Sequence, residues 1–231
     1  AYKMNIRIIE HNLLQLDFMK KAGIIIAVFM ITVSGCSKPQ INDRPNILFA
    51  ISDDQSWPHA SAYGCEFVNT PVFDRIAREG VIFHNAFTTA PQCSPARASI
   101  LSGRNPWQNG DAAVHGTPIP DSIPLYTEIL KKAGYHIGMT GKGWAPGPLE
   151  GQNPAGEDYS ASESYVDGCR NFLKDREPGQ PFCFWYGSRE PHRGYKEGSG
   201  LKKGKTFESV DLPKFLPDHK IVRSDLLDYA V

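Results

Sequence analysis

The chain contains 231 residues, with 25 basic and 25 acidic side chains and a hydrophobic fraction of 41%. This length suffices for a globular domain with its own hydrophobic core. The balanced charge excludes the strongly basic surface that is typical of nucleic-acid-binding proteins, so we expect no nucleic-acid partner.

The N-terminal residues divide into short segments that we expect to lie outside the folded domain. Residues 19–35 combine a basic start, an apolar run that is short for a membrane span, and small residues before Cys36. This pattern resembles a bacterial lipoprotein signal peptide, which implies lipidation of Cys36 and a tether over residues 36–44. Residues 1–18 are interpreted as a start-site artefact. The expected location is the bacterial cell envelope, periplasmic or at the cell surface; an N-terminal anchor helix is the alternative.

A continuous apolar run over residues 45–52 predicts the first strand of the domain. Such a run is typical of a strand that is buried on both faces of a parallel sheet. Asp53 and Asp54 follow at once. In open α/β sheets the ligand crevice lies at the carboxyl ends of the strands, so two adjacent carboxylates there indicate a functional site. The alternative is an aspartate pair that starts a turn or caps a helix.

The next residues predict a helix, a short strand and a loop that lead to a cysteine. Residues 72–79 follow the capping sequence Asn-Thr-Pro, have helical periodicity and end at Gly80. Residues 81–83 predict a short strand. Residues 85–92 are then the loop that delivers Cys93 to its helix.

Residues 93–104 predict one short helix that begins with Cys93. Pro95 suits the first helical turn, where its missing N–H would have no partner, and Gly103 suits the position after the last turn. Cys93 therefore lies at a helix N-terminus, which favours anions, and Arg97 lies on the same face. A nucleophile beside a fixed cation and a helix N-terminus suits a tetrahedral oxyanion. The alternative is a structural cysteine before a surface helix.

The remainder of the chain alternates predicted loops, helices and strands, as in an α/β fold. Loops rich in Gly and Pro cover residues 105–124 and 145–160, and residues 198–205 predict a flexible basic surface loop. The other predicted elements are helix 125–133, strand 135–140, helix 161–173, strand 181–186, and a final loop and helix over residues 211–229.

Two of these strands are followed by further candidate site residues. Gly141 and Lys142 come at the end of one strand, and His192 follows the other. A lysine that is held at a strand end can bind an anion as a point charge, and a histidine there can donate a proton. Taken singly, each is more often an ordinary surface residue.

The sequence Cys93-Ser-Pro95-Ala-Arg97, with its small-residue helix closing on Ser-Gly-Arg, resembles the signature of type I sulfatases. In that family a maturase converts the cysteine to formylglycine. The segment that leads through the first strand to Asp53 and Asp54 resembles the N-terminal sulfatase metal motif, in which two aspartates bind Ca²⁺ or Mg²⁺. Oxygen ligands fit these hard cations.

Two later segments extend the resemblance. Residues 134–142 are similar to the second sulfatase signature, in which the lysine binds sulfate. Pro191 and His192 resemble the Pro-His motif of the sulfamidase-like, heparan N-sulfatase-like branch, in which the histidine donates to the sulfate or the leaving group. The chain departs from the pattern at Gly143 and Trp144, because the common form has a histidine close to the lysine.

The resemblance implies an α/β fold of the alkaline phosphatase superfamily, a sandwich with a mostly parallel central sheet and helices on both faces. Residues 45–231 are then the N-terminal part of a C-terminally truncated catalytic domain. The implied partners are a sulfated glycan or another sulfate ester, the maturase, and a membrane reached through the lipid anchor. The implied cofactors are Ca²⁺ (or Mg²⁺) and formylglycine.

The implied activity is that of a sulfuric ester hydrolase, which cleaves sulfate esters or N-sulfo groups on glycans. The alternatives are a phosphoryl-ester hydrolase of the same superfamily and a lipid-anchored glycan-binding protein without catalysis. The resemblance also implies a role for each site residue. The converted Cys93 is the nucleophile and a metal ligand, and Asp53 and Asp54 are further metal ligands. Arg97 and Lys142 bind the oxyanion, and His192 is the proton donor.

Three cysteines remain once Cys36 is lipidated and Cys93 is converted. An exported protein can form a disulfide, and Cys169 with Cys183 is a possible pair. Spacing alone does not establish that bond. Buried free thiols are therefore the favoured interpretation for these two residues and for Cys65.

Overall fold

A computed structural model describes residues 44–149 and 151–231. The predicted start-site artefact, the signal segment, the lipidation site Cys36 and the tether up to residue 43 lie outside these residues. Arg44, predicted as the end of the tether, packs on the domain: its guanidinium donates to the carbonyl of Ala133 and lies 5.5 Å from the centroid of the Tyr135 ring. Within the described part of the chain, no helix has both the length and the apolar character needed to cross a membrane.

The sheet consists of parallel strands, as the sequence predicts. Their bounds are β1 Ile47–Ile51, β2 His136–Gly141, β3 Glu157–Asp158 and β4 Phe182–Gly187. The spatial order is β1-β4-β2-β3, and every pairing is parallel. Strands that are neighbours in a parallel sheet need crossover connections, which the intervening helices and loops supply.

Six α-helices surround the sheet in the described residues. They are α1 Pro71–Glu79, α2 Cys93–Ser102, α3 Tyr126–Lys132, α4 Tyr165–Asp175, α5 Ser199–Lys202 and α6 Lys220–Tyr229. The predicted cap of α2 is confirmed, because Gly103 ends it with a φ of 67°. Helix α4 begins later than predicted, because the Ser164 side chain caps it by accepting a hydrogen bond from the Asp167 backbone N–H.

Helices cover both faces of the sheet, which confirms the predicted layered α/β architecture. On one face Met139 and Trp185 pack in a core cluster with Leu101 of α2. On the other face Phe172 of α4 packs against the ring of Phe184, at 4.5 Å between centroids. These contacts hold the two central strands, β2 and β4, between layers of helix.

The prediction that the first strand is buried on both faces is wrong for β1. Its odd-numbered side chains face the layer of α2 and α3, but Leu48 is 61% exposed on the opposite face. The register pairs Leu48 with Phe184, which α4 covers. Helix α4 packs on β2 and β4 and does not reach across to β1. The apolar run in the sequence therefore predicted the strand β1 correctly, but it did not predict how far each face of β1 is buried.

Two other local predictions are corrected by the structure. Residues 81–83 form no strand, because no described strand pairs with them. The side chains of Val81 and Phe83 are 77% and 69% exposed. The predicted flexible loop 198–205 contains α5. Gly200 in that helix packs so closely on α6 that a Cβ atom there would lie 2.3 Å from the carbonyl oxygen of Leu227.

The described cysteines are free thiols, as predicted, but of the three that were expected to be buried only Cys183 is, because Cys65 and Cys169 are partly exposed. Cys183 is buried in β4, and burial raises the pKa of its thiol to about 11. Burial likewise raises the pKa of Cys169. Both are therefore poorly reactive thiols at neutral pH.

Candidate active site

Three parallel strands end at one edge of the sheet, and this edge gathers the predicted site segments. The last residue of β4, Gly187, is in register with the last residues of β1 and β2, Ile51 and Gly141. Backbone hydrogen bonds continue past the strands: the N–H of Lys142 donates to Gly187 at 2.7 Å, and the N–H of Asp53 donates to the Glu190 carbonyl at 3.1 Å. The carboxyl edge of the sheet thus forms the floor of the site.

Glycines permit this close approach of the strand ends. A Cβ atom at Gly141, whose φ is 76°, would lie 2.0 Å from the carbonyl oxygen of Gly187, and one at Gly187 would lie 2.1 Å from that of Lys142. Only glycine fits both positions without movement of the backbone. The close contact of these glycines fixes the backbone from which the Lys142 side chain extends, as the sequence motif suggested.

Cys93 is the first residue of α2, and its thiol faces the strand ends. The Sγ atom lies 3.2 Å from Nζ of Lys142 and 3.8 Å from Oδ1 of Asp53. A ring nitrogen of His192 completes a group with Cys93 and Asp53 in which the three potential ligand atoms lie within 4.8 Å of one another. The structure therefore brings together four of the residues that the sequence singled out.

Arg97 is the fifth residue of the site, and it is almost fully buried one turn into α2. Its guanidinium donates to the carbonyls of Lys142 and Gly143, at 2.5 and 2.9 Å, and to Oδ1 of Asp53 at 3.2 Å. It also lies 5.8 Å from the centroid of the Trp185 ring. Arg97 thus fixes the strand end and the aspartate, and its planar fork is suited to several acceptors at once.

The charges at this site favour an anion. Asp53 is buried and forms ion pairs with both Arg97 and Lys142, whose side chains are 3% and 11% exposed. Burial by itself would raise the pKa of Asp53, but the hydrogen bond and charge of Lys142, followed by those of Arg97, lower it below the ordinary value. In the buried part of the site, two cations face one carboxylate beside the N-terminus of α2, so this part carries a net positive charge.

Asp54 and His192 lie at the exposed side of the site. The Oδ2 atom of Asp54 is 3.6 Å from Nε2 of His192, and both side chains are about half exposed. Asp54 adopts a left-handed backbone conformation with φ of 60°, which directs it away from the buried Asp53. Asp54 is not one of the three residues whose ligand atoms group within 4.8 Å, so the two adjacent aspartates occupy different surroundings.

An open cleft of about 1080 Å³ extends from the thiol. Asp53, Asp54, Cys93 and Arg97 line its polar end. Its walls carry the aromatic side chains of Trp57, Tyr63, Phe73, Phe83 and Phe87. A cleft of this size, with a few convergent charged groups, has room for a ligand larger than sulfate itself.

The donor atoms present fit a hard cation only in part. Ca²⁺ takes six to eight oxygen ligands, whereas the grouped donors here are one carboxylate oxygen, one sulfur and one imidazole nitrogen. Replacement of the sulfur by hydroxyl oxygens, as conversion of Cys93 would bring about, adds the type of donor that a hard cation prefers. The structure thus contains a group of donors that can hold a metal ion. Which metal it suits depends on whether residue 93 offers sulfur or hydroxyl oxygen.

The sequence analysis missed two features near the site. His59, a loop residue that belongs to none of the sequence motifs, is buried, and its Nδ1 lies 3.2 Å from the hydroxyl of Tyr229. Burial lowers its pKa. Trp144, in the segment where the family usually has a histidine, is a core residue at 2% exposure. A single histidine or tryptophan in a loop gives no periodic signal that would reveal its burial.

The parallel sheet, the helices on both faces and the site at the strand ends define an alkaline-phosphatase-like α/β fold. The sequence profile of the family described as Sulfatase matches residues 45–211. The chain belongs to the sulfatase family.

Similar proteins agree with this assignment. The chain is 32% identical to an ulvan-active sulfatase of Formosa agariphila, over 76% of this chain and 40% of the relative. It is 30% identical to an N-acetylglucosamine-6-O-sulfatase of Bacteroides thetaiotaomicron, over 74% of this chain and 35% of the relative. The chain thus spans well under half the length of these curated relatives.

Solved structures show the same fold. One, described as a complex with its substrate D-glucosamine-2-N,6-O-disulfate, is 27% identical with a TM-score of 0.56, over 76% of this chain and 39% of that chain. Another, the C-terminal periplasmic domain of EcEptC from Escherichia coli with Zn, is 17% identical with a TM-score of 0.55, over 84% of this chain and 57% of that chain. The latter likeness concerns the fold alone.

Proposed function

We propose that this chain supplies the nucleophile and the first anion contacts of a sulfatase that hydrolyses sulfate esters or N-sulfo groups on glycans. The observation that carries the proposal is the thiol of Cys93 at a helix N-terminus, 3.2 Å from the Lys142 ammonium and 3.8 Å from the Asp53 carboxylate. Membership in the sulfatase family and the two fixed cations, Arg97 and Lys142, support it. Glycans as substrates are suggested by the names of the relatives.

In the proposed reaction, Cys93 has been converted to formylglycine, whose hydrated aldehyde carries two hydroxyls on one carbon. One hydroxyl loses its proton and attacks sulfur, and the bond from sulfur to the glycan oxygen or nitrogen breaks. The second hydroxyl then loses its proton, the aldehyde C=O forms again, and sulfate leaves. Addition of water regenerates the diol. A serine at this position would retain a stable sulfate ester, which explains the need for an aldehyde.

Lys142 and Arg97 stabilise the negative charge that develops on the sulfate oxygens, because both cations are fixed and shielded from water. His192 is assigned to protonate the leaving group. Its Nδ1 lies 2.9 Å from the carbonyl of Arg193, so Nδ1 carries the proton of that hydrogen bond and Nε2 remains for the substrate. Donation from Nε2 therefore requires the doubly protonated ring.

Asp53, Asp54 and a hydroxyl of the converted residue 93 would hold Ca²⁺ or Mg²⁺. Such an ion, when bound, polarises the sulfate and favours ionisation of the attacking hydroxyl. The protein is further proposed to be a lipoprotein of the bacterial cell envelope, anchored through Cys36 and matured by a formylglycine-generating enzyme. The sequence pattern of residues 19–36 supports the anchor.

The test is turnover of sulfated glucosamine, galactosamine and aryl sulfate by protein co-produced with a maturase, with aryl phosphate as the competing substrate. We expect sulfate release that is lost in Cys93→Ala and falls about 100-fold or more in Lys142→Met. Peptide mass spectrometry measures conversion at residue 93. Phosphate release without sulfate release would indicate the phosphoryl-ester hydrolase instead. Glycan retention without either product, from fully converted protein, would contradict catalysis.

A further inference from the structure

We propose that the chain with an unmodified thiol at Cys93 binds Zn²⁺, and that conversion to formylglycine changes the metal preference of the site to Ca²⁺ or Mg²⁺. We call the unmodified chain the thiol form. Zinc binding concerns the thiol form alone, so it stands or falls separately from the proposed sulfatase activity, whereas the change of metal preference rests on the conversion of Cys93 in the proposed function. It begins from the donors that group here: one sulfur, one imidazole nitrogen and one carboxylate oxygen.

This donor set is typical of zinc. Thiolate, imidazole and carboxylate are its usual protein ligands, and three of them with one open position form the catalytic type of zinc site. Ca²⁺ and Mg²⁺ select oxygen and seldom accept sulfur. With Cys93 as a thiolate, the site therefore favours the more thiophilic ion. With hydroxyls in place of sulfur, the preference reverses.

The spacing of two donors is close to that of a tetrahedral zinc site. Zn–S and Zn–O bonds of about 2.3 and 2.1 Å at a tetrahedral angle separate the two ligand atoms by roughly 3.6 Å. The Sγ atom of Cys93 and Oδ1 of Asp53 are 3.8 Å apart. A shift of a few tenths of an ångström would therefore bring both atoms to bonding distance from one ion.

Surrounding hydrogen bonds orient the three donors. The Arg193 carbonyl lies 2.9 Å from Nδ1 of His192, and it can only accept a hydrogen bond, so the Nε2 lone pair is available for a metal. Lys142 contacts Oδ2 of Asp53, whereas Oδ1 lies on the side of Cys93 and accepts a hydrogen bond from Arg97 at 3.2 Å. A carboxylate oxygen has two lone pairs, so Oδ1 keeps one for a metal. Asp54, with Oδ2 3.6 Å from Nε2 of His192, lies beside this donor but outside the group of three.

The charges of the site determine how tightly the ion is held. Arg97 and Lys142 place two cations beside it, and these oppose a divalent ion. The thiolate and Asp53 provide two negative ligands that offset this repulsion. We therefore expect binding at one equivalent, with a lower affinity than that of closed structural sites made of Cys and His.

Cobalt(II) is the probe for this proposal, because a thiolate ligand to Co²⁺ gives a charge-transfer band in the near ultraviolet. We expect the metal-free thiol form to develop this band at one equivalent of Co²⁺, and Zn²⁺ but not Ca²⁺ to abolish it. Cys93→Ser should remove the band and weaken binding at least about 100-fold, since loss of an outer-shell partner alone costs about 10–100-fold. His192→Gln should weaken binding while the band remains.

Cys169→Ser and Cys65→Ser are the matched controls, and each should retain the band, because neither cysteine belongs to the donor group. Circular dichroism checks that each variant is folded. The absence of a band from folded thiol form, or its persistence in Cys93→Ser, would overturn the proposal. Protein that is fully converted at residue 93 should show no band, and its sulfatase activity is measured separately.

Discussion

At the scale of single residues, the site depends on how each ionisable group is surrounded. Asp53 and Asp54 are neighbours in the chain, yet Asp53 is buried between two cations and Asp54 lies about half exposed beside His192. The direction of the pKa shift of Asp53 follows from those cations, which outweigh its burial. Identical side chains thus acquire different chemistry from their positions.

The buried histidine at position 59 gives a prediction for the pH dependence of stability. Burial lowers the pKa of His59 below its ordinary value of 6.5, so the folded chain holds the ring neutral while the unfolded chain protonates it near pH 6.5. The stabilisation is complete above that pH and is lost as the pH falls toward the lower folded pKa. We expect urea denaturation at several pH values to show this decline, at most about 1.4 kcal/mol per pH unit.

Substitution separates this effect from other titrations. His59→Gln should show a shallower decline of the free energy of unfolding than the unsubstituted chain as the pH falls below about 6.5. The control is His115→Gln, because His115 is exposed and its removal should leave the slope unchanged. Equal slopes in the His59→Gln and unsubstituted proteins would contradict the prediction.

At the scale of elements, the strand ends and one helix hold the site together. Gly141 and Gly187 let β2 and β4 end side by side, with Lys142 and Asp53 projecting from the same edge. Helix α2 contributes its first residue, Cys93, and Arg97 one turn later. Because backbone atoms meet at the glycines, the geometry of the site depends on residues that carry no functional group.

A pair of matched substitutions tests the strand-end contact. Gly141 and Gly179 have φ angles of 76° and 77°, so alanine is strained by about 1–2 kcal/mol at either position. Only Gly141→Ala also adds a Cβ atom 2.0 Å from a backbone oxygen, whereas nothing lies within 4 Å at Gly179. We expect Gly141→Ala to be at least about 2 kcal/mol more destabilising in urea denaturation. Equal losses would show that the strand ends can separate freely.

Helix α6 connects the two loops that carry Asp54 and His192. From one face of the helix, Asp225 accepts hydrogen bonds from the Arg193 guanidinium, at 2.9 and 2.5 Å. From the next turn, the Tyr229 hydroxyl accepts a hydrogen bond from the Ser56 N–H at 3.3 Å and contacts His59. The helix therefore bridges residues next to both exposed site groups.

We expect this bridge to transmit a change from one loop to the other. Asp225→Ala removes the hydrogen bonds to Arg193, so its direct effect is on the loop of Arg193. Through the helix it should also raise amide hydrogen exchange in residues 54–59, at least about fivefold. Tyr229→Phe should raise exchange in residues 54–59 directly and, because coupling is reciprocal, in residues 190–195 as well. Ile221→Ala, an exposed position on the same helix, is the control. An increase in Asp225→Ala that is confined to residues 190–195 would rule out coupling.

At the scale of the whole molecule, several large apolar side chains are exposed in the described residues. They include Leu48 on the edge strand β1 and several side chains in and after α1: Val72, Ile76, Val81, Phe83 and Phe87. An unpaired strand edge beside exposed apolar side chains promotes association. The chain also spans only 35–40% of the length of the relatives that it matches.

Sedimentation velocity tests the consequence of this surface. We expect association that increases with protein concentration, and a reduction of it by Leu48→Lys, which places a charge on β1. Ile129→Lys is the control, because Ile129 is a similarly exposed apolar residue on α3, which covers the face of the sheet opposite to Leu48. A monomer at all concentrations, or equal effects of the two substitutions, would contradict the prediction.

The sequence by itself determined the order and type of most elements and the residues that meet at the sheet edge. It did not reveal β3 within the predicted loop 145–160 or α5 within the predicted loop 198–205, and it predicted a strand at residues 81–83 that the structure does not have. Periodicity, caps and strand ends are local properties, and parallel strands place successive strand ends together whatever packs around them. For this reason Asp53, Cys93, Arg97, Lys142 and His192 could all be identified from motifs before their distances were known.

Only the tertiary structure decided which side chains are covered and which site groups pair. The exposed face of β1, the unpaired residues 81–83, the burial of His59 and the core position of Trp144 depend on elements that are distant in the chain. The separation of Asp53 from Asp54 likewise depends on Lys142 and His192, which come from other strand ends. Burial and charge pairing are properties of what lies opposite a residue, and the local sequence does not contain them.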